Sequence, residues 1–200
     1  MLINPVGNEY SKKWFVKALF DTSSIGQITS SPDWTFEPAD YINPDCKRTY
    51  YPNNGYQKIQ GKGIVQGRLI GGHTGLMEIA GTPIELKAED FEKAILFVED
   101  IPECFDEASV QKFFSYLGEK RILHKLNGII IGKTNENRSF EERAKMIHHV
   151  ISDEYSCSVP VLYGLNFGHS SPMFVLPYGA MAEIDCEKTT FSILENGVTV

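Results

Sequence analysis

His169 stands in "GLNFGHSSP", between a glycine and two serines. Imidazole changes charge near neutral pH, so a histidine on a loop suits proton transfer. A second candidate is the acid pair Glu99-Asp100, which closes the apolar run "AILFV". A carboxylate there is partly desolvated and needs a partner. A histidine supplies one: the carboxylate accepts an N–H from one ring nitrogen, fixes the tautomer and leaves the other nitrogen as a general base. Taken singly, Glu99 reads as a helix cap or a surface ion pair, and His169 as a loop-packing residue. Ser170 and Ser171 adjoin the base in sequence, which gives poor geometry for a nucleophile and its base, and no GxSxG turn occurs. Turn and cap roles suit them better, so a complete enzyme built on either serine ranks below the alternatives. What remains is a base and an orienting acid without a nucleophile. His73, after Gly71-Gly72, either reaches such a site or caps a short helix. His148 and His149 read as helix-surface residues, and His124 is a weaker candidate still.

The elements that must position these groups follow from periodicity. Residues 63–72, 94–100, 126–132 and 159–164 read as strands, the last three buried. Three candidate sites therefore fall at strand C-terminal ends: the Gly71-Gly72 turn, Glu99-Asp100 and Gly168-His169. That edge is where α/β sheets bind ligands. Residues 106–120 carry Val110, Phe113, Phe114 and Leu117 on one helical face. Residues 139–155 open with a serine cap and early glutamates. Residues 73–81 read as a short helix ended by Gly81, and residues 11–20 as a helix with Ser11 at its N-cap. Residues 179–197 alternate like a hairpin turning near Glu187-Lys188. Strands alternating with helices predict an α/β fold with a mixed sheet. The stretch up to Gly63 reads as a long ordered loop, rich in proline and carrying Trp34, Phe36, Tyr41, Tyr50, Tyr51 and Tyr56. A loop this aromatic is more often functional than filler.

Bulk properties exclude several classes. A chain of 200 residues, 42% apolar and 22% charged, is an ordinary globular composition. Its net charge of −7 and lack of a basic stripe argue against nucleic-acid or anionic-membrane partners. No run approaches a membrane span, and the first residues lack the apolar core of a signal peptide. Cys46, Cys104, Cys157 and Cys186 have no zinc-ligand spacing, so no metal is expected and reduced thiols in a cytoplasmic protein are.

Together "GRLIGG" (67–72), "AILFVEDI" (94–101), "LNGIIIGK" (126–133) and "VPVLYGLNFGHSSPMFVLPYGAMAEID" (159–185) occur in the order seen in LD-carboxypeptidase-family serine peptidases. The loop "SPDW…YYPNNGYQKIQGK" resembles the branch that includes the microcin C immunity protein. The resemblance implies a mixed-sheet, swivelling β/β/α C-terminal domain over 63–200, preceded by a lead-in helix and an aromatic substrate loop over 1–62. It implies Glu99 as orienting acid, His169 as base, and Trp34, Gly71, Gly72 and His73 as substrate-binding residues. Trp34 would present an exposed indole face to a nucleotide-like end. The nucleophilic serine belongs to the family's N-terminal domain and has no matching position here, so this chain alone is expected to be inactive. The implied substrate is a peptidyl or aminoacyl nucleotide conjugate, with a murein tetrapeptide as the alternative, and no cofactor. A non-catalytic ligand-binding or subunit-interaction domain is the other account. An asparagine usually follows the paired glycines in the family; His73 stands there instead, a departure that bears on substrate preference. An apolar patch, with Trp14, Phe15 and the aromatic loop as candidates, is expected where the N-terminal domain would pack, and with it a homodimer.

Overall fold

The computed structural model describes residues 8–40, 42–43, 46–101, 104–134 and 139–199. Tyr41 lies outside them. Along these residues run α1 (Asn8–Leu19), β1 (Gly26–Ile28), β2 (Asp33–Trp34), β3 (Tyr51–Pro52), β4 (Gln57–Gln60), β5 (Ile64–His73), β6 (Ile95–Glu99), α2 (Glu107–Glu119), β7 (Gly128–Gly132), α3 (Phe140–His148), β8 (Val161–Leu165), β9 (Met181–Asp185) and β10 (Thr190–Ile193). Apart from the small β2–β3 pair, the strands make one sheet in the order β1-β10-β9-β5-β6-β7-β8-β4.

The centre of the sheet, β6 to β8, is parallel and covered on both faces, which explains why these strands are apolar along nearly their whole length. Side chains alternate across each strand. Leu96, Val98, Ile129, Ile131 and Val161 join one core with Val110, Phe113, Phe114 and Leu117 of α2 and Ile147 of α3. Ile95, Ile130 and Leu162 join the opposite core with Trp14 and Ala18 of α1, Ile184 of β9 and Phe191 of β10. β5 changes neighbour along its length: Ile64 to Arg68 pair antiparallel with β9, and Leu69 to His73 pair parallel with β6. The mixed α/β sheet is thus the expected fold, and the final hairpin, β9 to β10, turns at the expected place.

Helix ends follow local chemistry. Asp106 caps α2 by accepting from Ser109 N, and Ser139 and Glu142 form a reciprocal capping box on α3. Beyond His148 the helix widens to a π turn over His149–Glu154. Three expectations are corrected. Ser11 does not cap α1, which already starts at Asn8; the serine is buried inside the helix and its Oγ accepts from Met173 N. Residues 73–81 form a 3-10 turn, Thr74–Ile79, with His73 as its cap. The stretch before Gly63 is not all loop: β1 and β4 are the two edges of the main sheet. Strands this short carry too few alternating positions to read from sequence, and β4 exists through its pairing with β8.

Candidate active site

The parallel strands end at one edge, and the candidate residues collect there. β5 and β6 run in register, with His73 opposite Glu99. The loop after β8 brings His169 over the same ends, and its Nδ1 lies 2.6 Å from Glu99 Oε2, although the two are 70 positions apart. An ionised carboxylate only accepts, so Nδ1 carries the proton and Nε2 is left for a proton from elsewhere. The imidazole is 48% exposed and the carboxylate 18%, so one end of the pair is sheltered while the other meets solvent.

Gly168 is a steric requirement of this contact. Its φ is +83°, and a Cβ there would lie 2.6 Å from Glu99 Cβ and 2.8 Å from Oε2. Gly71 is equally constrained: at φ +148° its Cβ would meet the Phe97 carbonyl oxygen at 1.9 Å. Gly72, by contrast, borders open space. The paired glycines therefore let β5 run tight against β6 at one position and keep the surface open at the next.

His73 forms a second histidine–carboxylate pair beside the first. Its Nε2 is 2.9 Å from Asp100 Oδ1, and its Nδ1 accepts from Gly75 N at 2.9 Å. Nδ1 accepts, so Nε2 carries the proton in the neutral ring. Both nitrogens are occupied, and His73 shows the site mainly its carbon edge. Its ring meets that of His169 edge-on, with centroids 6.2 Å apart. Asp100 is 5% exposed and also accepts from Ile101 N and the Thr74 hydroxyl. Asp100 is the first residue past β6, and the two neighbouring acids engage different histidines, Glu99 pairing with His169 and Asp100 with His73.

Neither neighbouring serine engages the base. Among the described residues Ser170 Oγ is buried with no hydrogen-bond partner, and Arg48 Nη2 donates to Ser171 Oγ at 3.3 Å. Trp34 differs from the expectation of an exposed face. It is 4% exposed, packed against Phe36 and Tyr51, with Lys133 Nζ 4.8 Å from its ring centroid. Its neighbour Thr35 exchanges two backbone hydrogen bonds with Ser171, both 2.8 Å, which ties the aromatic loop to the His169 loop. His124 is exposed on a 3-10 turn, and His148 and His149 pair with Asp153 on the surface, all away from this edge.

Asp100 was named with Glu99 from sequence, as the second acid at the end of an apolar run, but without a partner of its own. Two contributors were not singled out: Arg48, which donates to Ser171, and Asn166, buried behind the His169 turn. A polar residue in a loop reads as a turn. The four cysteines are free, and burial pushes the Cys157 and Cys186 thiols up. Among the described residues no group of three or more His, Cys, Asp or Glu side chains is placed to hold a metal ion, and no helix is long and apolar enough to cross a membrane.

Comparison with known proteins gives the family of the chain. The Microcin C7 self-immunity protein MccF of Escherichia coli is 33% identical over 187 residues, covering 90% of this chain and 52% of that protein. A Bacillus subtilis protein named as a murein peptide carboxypeptidase is 27% identical over 140 residues, covering 68% of this chain and 42% of the relative. A solved structure of MccF in complex with glutamyl sulfamoyl guanosine superposes with a TM-score of 0.78 at 28% identity, over 98% of this chain and 58% of that one. The chain thus spans about half the length of the curated relatives it matches. Residues 66–184, which carry both histidine–carboxylate pairs, match the LD-carboxypeptidase C-terminal domain, and the chain belongs to that peptidase family.

Proposed function

We propose that this chain supplies the base and orienting acid of a serine carboxypeptidase-type hydrolase acting on an amide in a peptidyl or aminoacyl nucleotide conjugate. The observation that supports it is the 2.6 Å contact from His169 Nδ1 to Glu99, which leaves Nε2 for a serine hydroxyl on a segment outside these 200 residues. In the proposed reaction Nε2 takes the hydroxyl proton as Oγ attacks the carbonyl carbon. The same proton then passes to the leaving amine, and an acyl-enzyme remains. Water repeats the sequence to release the acid. Glu99 stays ionised throughout and stabilises the imidazolium. Gly71, Gly72 and His73 form the adjoining wall for substrate.

A murein peptide is the second reading, favoured by the burial of Trp34, which leaves no free indole face for a base to stack on. The deciding experiment measures hydrolysis of an aminoacyl sulfamoyl adenylate and of a murein tetrapeptide. Each is tested with the chain alone and with a nucleophile-bearing N-terminal domain added. Turnover of the adenylate only in the combined sample, lost in His169→Ala, is the expected result. Preference for the tetrapeptide selects the second reading. Turnover by the chain alone that Ser170→Ala or Ser171→Ala abolishes overturns both.

A further inference from the structure

Asn166 follows β8 and precedes His169 by three residues. It is 0% exposed, yet it is polar and its side chain is hydrogen-bonded on both sides. Oδ1 accepts from Ser31 N at 3.2 Å and from Asn53 Nδ2 at 3.3 Å. Nδ2 donates to Ser31 Oγ at 2.8 Å and to the Pro172 carbonyl at 3.4 Å. Its backbone carbonyl accepts from Phe174 N at 2.8 Å. One buried amide therefore joins three pieces of chain: the start of the aromatic loop, the end of that loop, and the far side of the turn that carries His169.

The surrounding bonds repeat the pattern. Asn53 N donates to the Pro32 carbonyl at 2.8 Å, closing the loop at its neck. Thr35 and Ser171 exchange two backbone bonds, and Arg48 holds Ser171 Oγ and the Glu37 carbonyl together. His169 sits at the apex of a turn whose two limbs are fixed to this loop. A charge pair at an apex is only as well oriented as the limbs below it. A fully satisfied buried amide is a strong way to fix them, because releasing it leaves several donors and acceptors unpaired at once.

We infer that Asn166 is a positioning residue for His169, and that through it the aromatic loop and the base move as one unit. Whatever settles or lifts the loop around Trp34 then also sets or releases the Nδ1–Glu99 contact. This rests on the reading of His169 as the base, but its test does not need turnover.

The readout is the tautomer of the neutral His169 imidazole, taken from long-range ¹⁵N–¹H correlations on the 200-residue chain. In the parent protein the Nδ1–H form dominates because Glu99 accepts that proton; free imidazole side chains favour Nε2–H. Glu99→Ala, which leaves no acceptor for Nδ1–H, serves as the reference and should lose the Nδ1–H preference. If it does not, the pairing of His169 with Glu99 fails, and with it the proposed function. The inference is tested by Asn166→Ala and, as a milder change, Ser31→Ala, which removes one hydroxyl 138 positions from His169. Loss of the Nδ1–H form in Asn166→Ala, with partial loss in Ser31→Ala, is expected. If Asn166→Ala fails to fold, Ser31→Ala decides alone. Variants that melt earlier but keep the parent tautomer overturn the inference, since Asn166 then serves stability only.

Discussion

At the scale of single residues, the Glu99–His169 pair makes sharp demands on its neighbours. Replacing Glu99 by glutamine keeps the shape but allows the wrong tautomer. In the combined enzyme kcat is expected to fall by up to about 10⁴-fold, the scale of the same change in a serine-protease triad. Steady-state kinetics on Glu99→Gln check this. Gly168→Ala has two penalties, a left-handed backbone position and a collision with Glu99. It is expected to destabilise by more than about 1 kcal/mol and to displace the carboxylate, as read by urea unfolding together with the His169 tautomer. The pair itself was legible in sequence: each member follows an apolar strand, and the two strands were expected to end at one edge. Asn166 was not legible. Its partners Ser31 and Asn53 lie 135 and 113 positions away, and nothing local marks an asparagine as buried.

At the scale of elements, the long helices and central strands could be read because they bury whole faces. The strands at 26–28, 33–34, 51–52 and 57–60 could not, because their order comes from what they pair with. Trp34 illustrates the difference. Aromatic content marked its segment as ordered, but only the packing of Phe36, Tyr51 and Lys133 around it decides that the indole is covered. Trp34→Ala is therefore expected to lower stability by about 3–5 kcal/mol, the usual cost of truncating a buried tryptophan, and an unchanged melting temperature would reject this. A further expectation concerns acid. Glu85 accepts from Gly81 N and from Lys87, which pull its carboxyl from 4.5 down to about 2. A folded value below the unfolded one gives stability that is present above pH 4.5 and lost as pH falls toward about 2. Glu85→Gln should flatten that part of the acid limb in urea midpoints measured against pH.

At the scale of the whole molecule, the exposed apolar surface near α1 overlaps the expected patch at Phe15 but not at Trp14. Trp14 is buried, whereas Val16, Leu19 and Phe20 remain open at the end of α1, Phe20 at 71% exposure. Phe15 leans on Phe20 with ring centroids 5.9 Å apart. This patch supports the proposal that the chain pairs with a second copy or with another domain. Self-association in light scattering is the expected outcome, reduced by Phe20→Ser, and a monodisperse monomer at high concentration would argue against it.

The divided pairing of β5 has a consequence for how the molecule comes apart. One uninterrupted strand is bonded to β9 over its first half and to β6 over its second. Neither the parallel nor the antiparallel part of the sheet can melt without stripping half of that strand. Heating should therefore give a single heat-absorption peak, with van't Hoff and calorimetric enthalpies equal. The amides at the changeover, near Arg68 and Leu69, should be among the last to exchange with deuterium, opening only when the whole chain does.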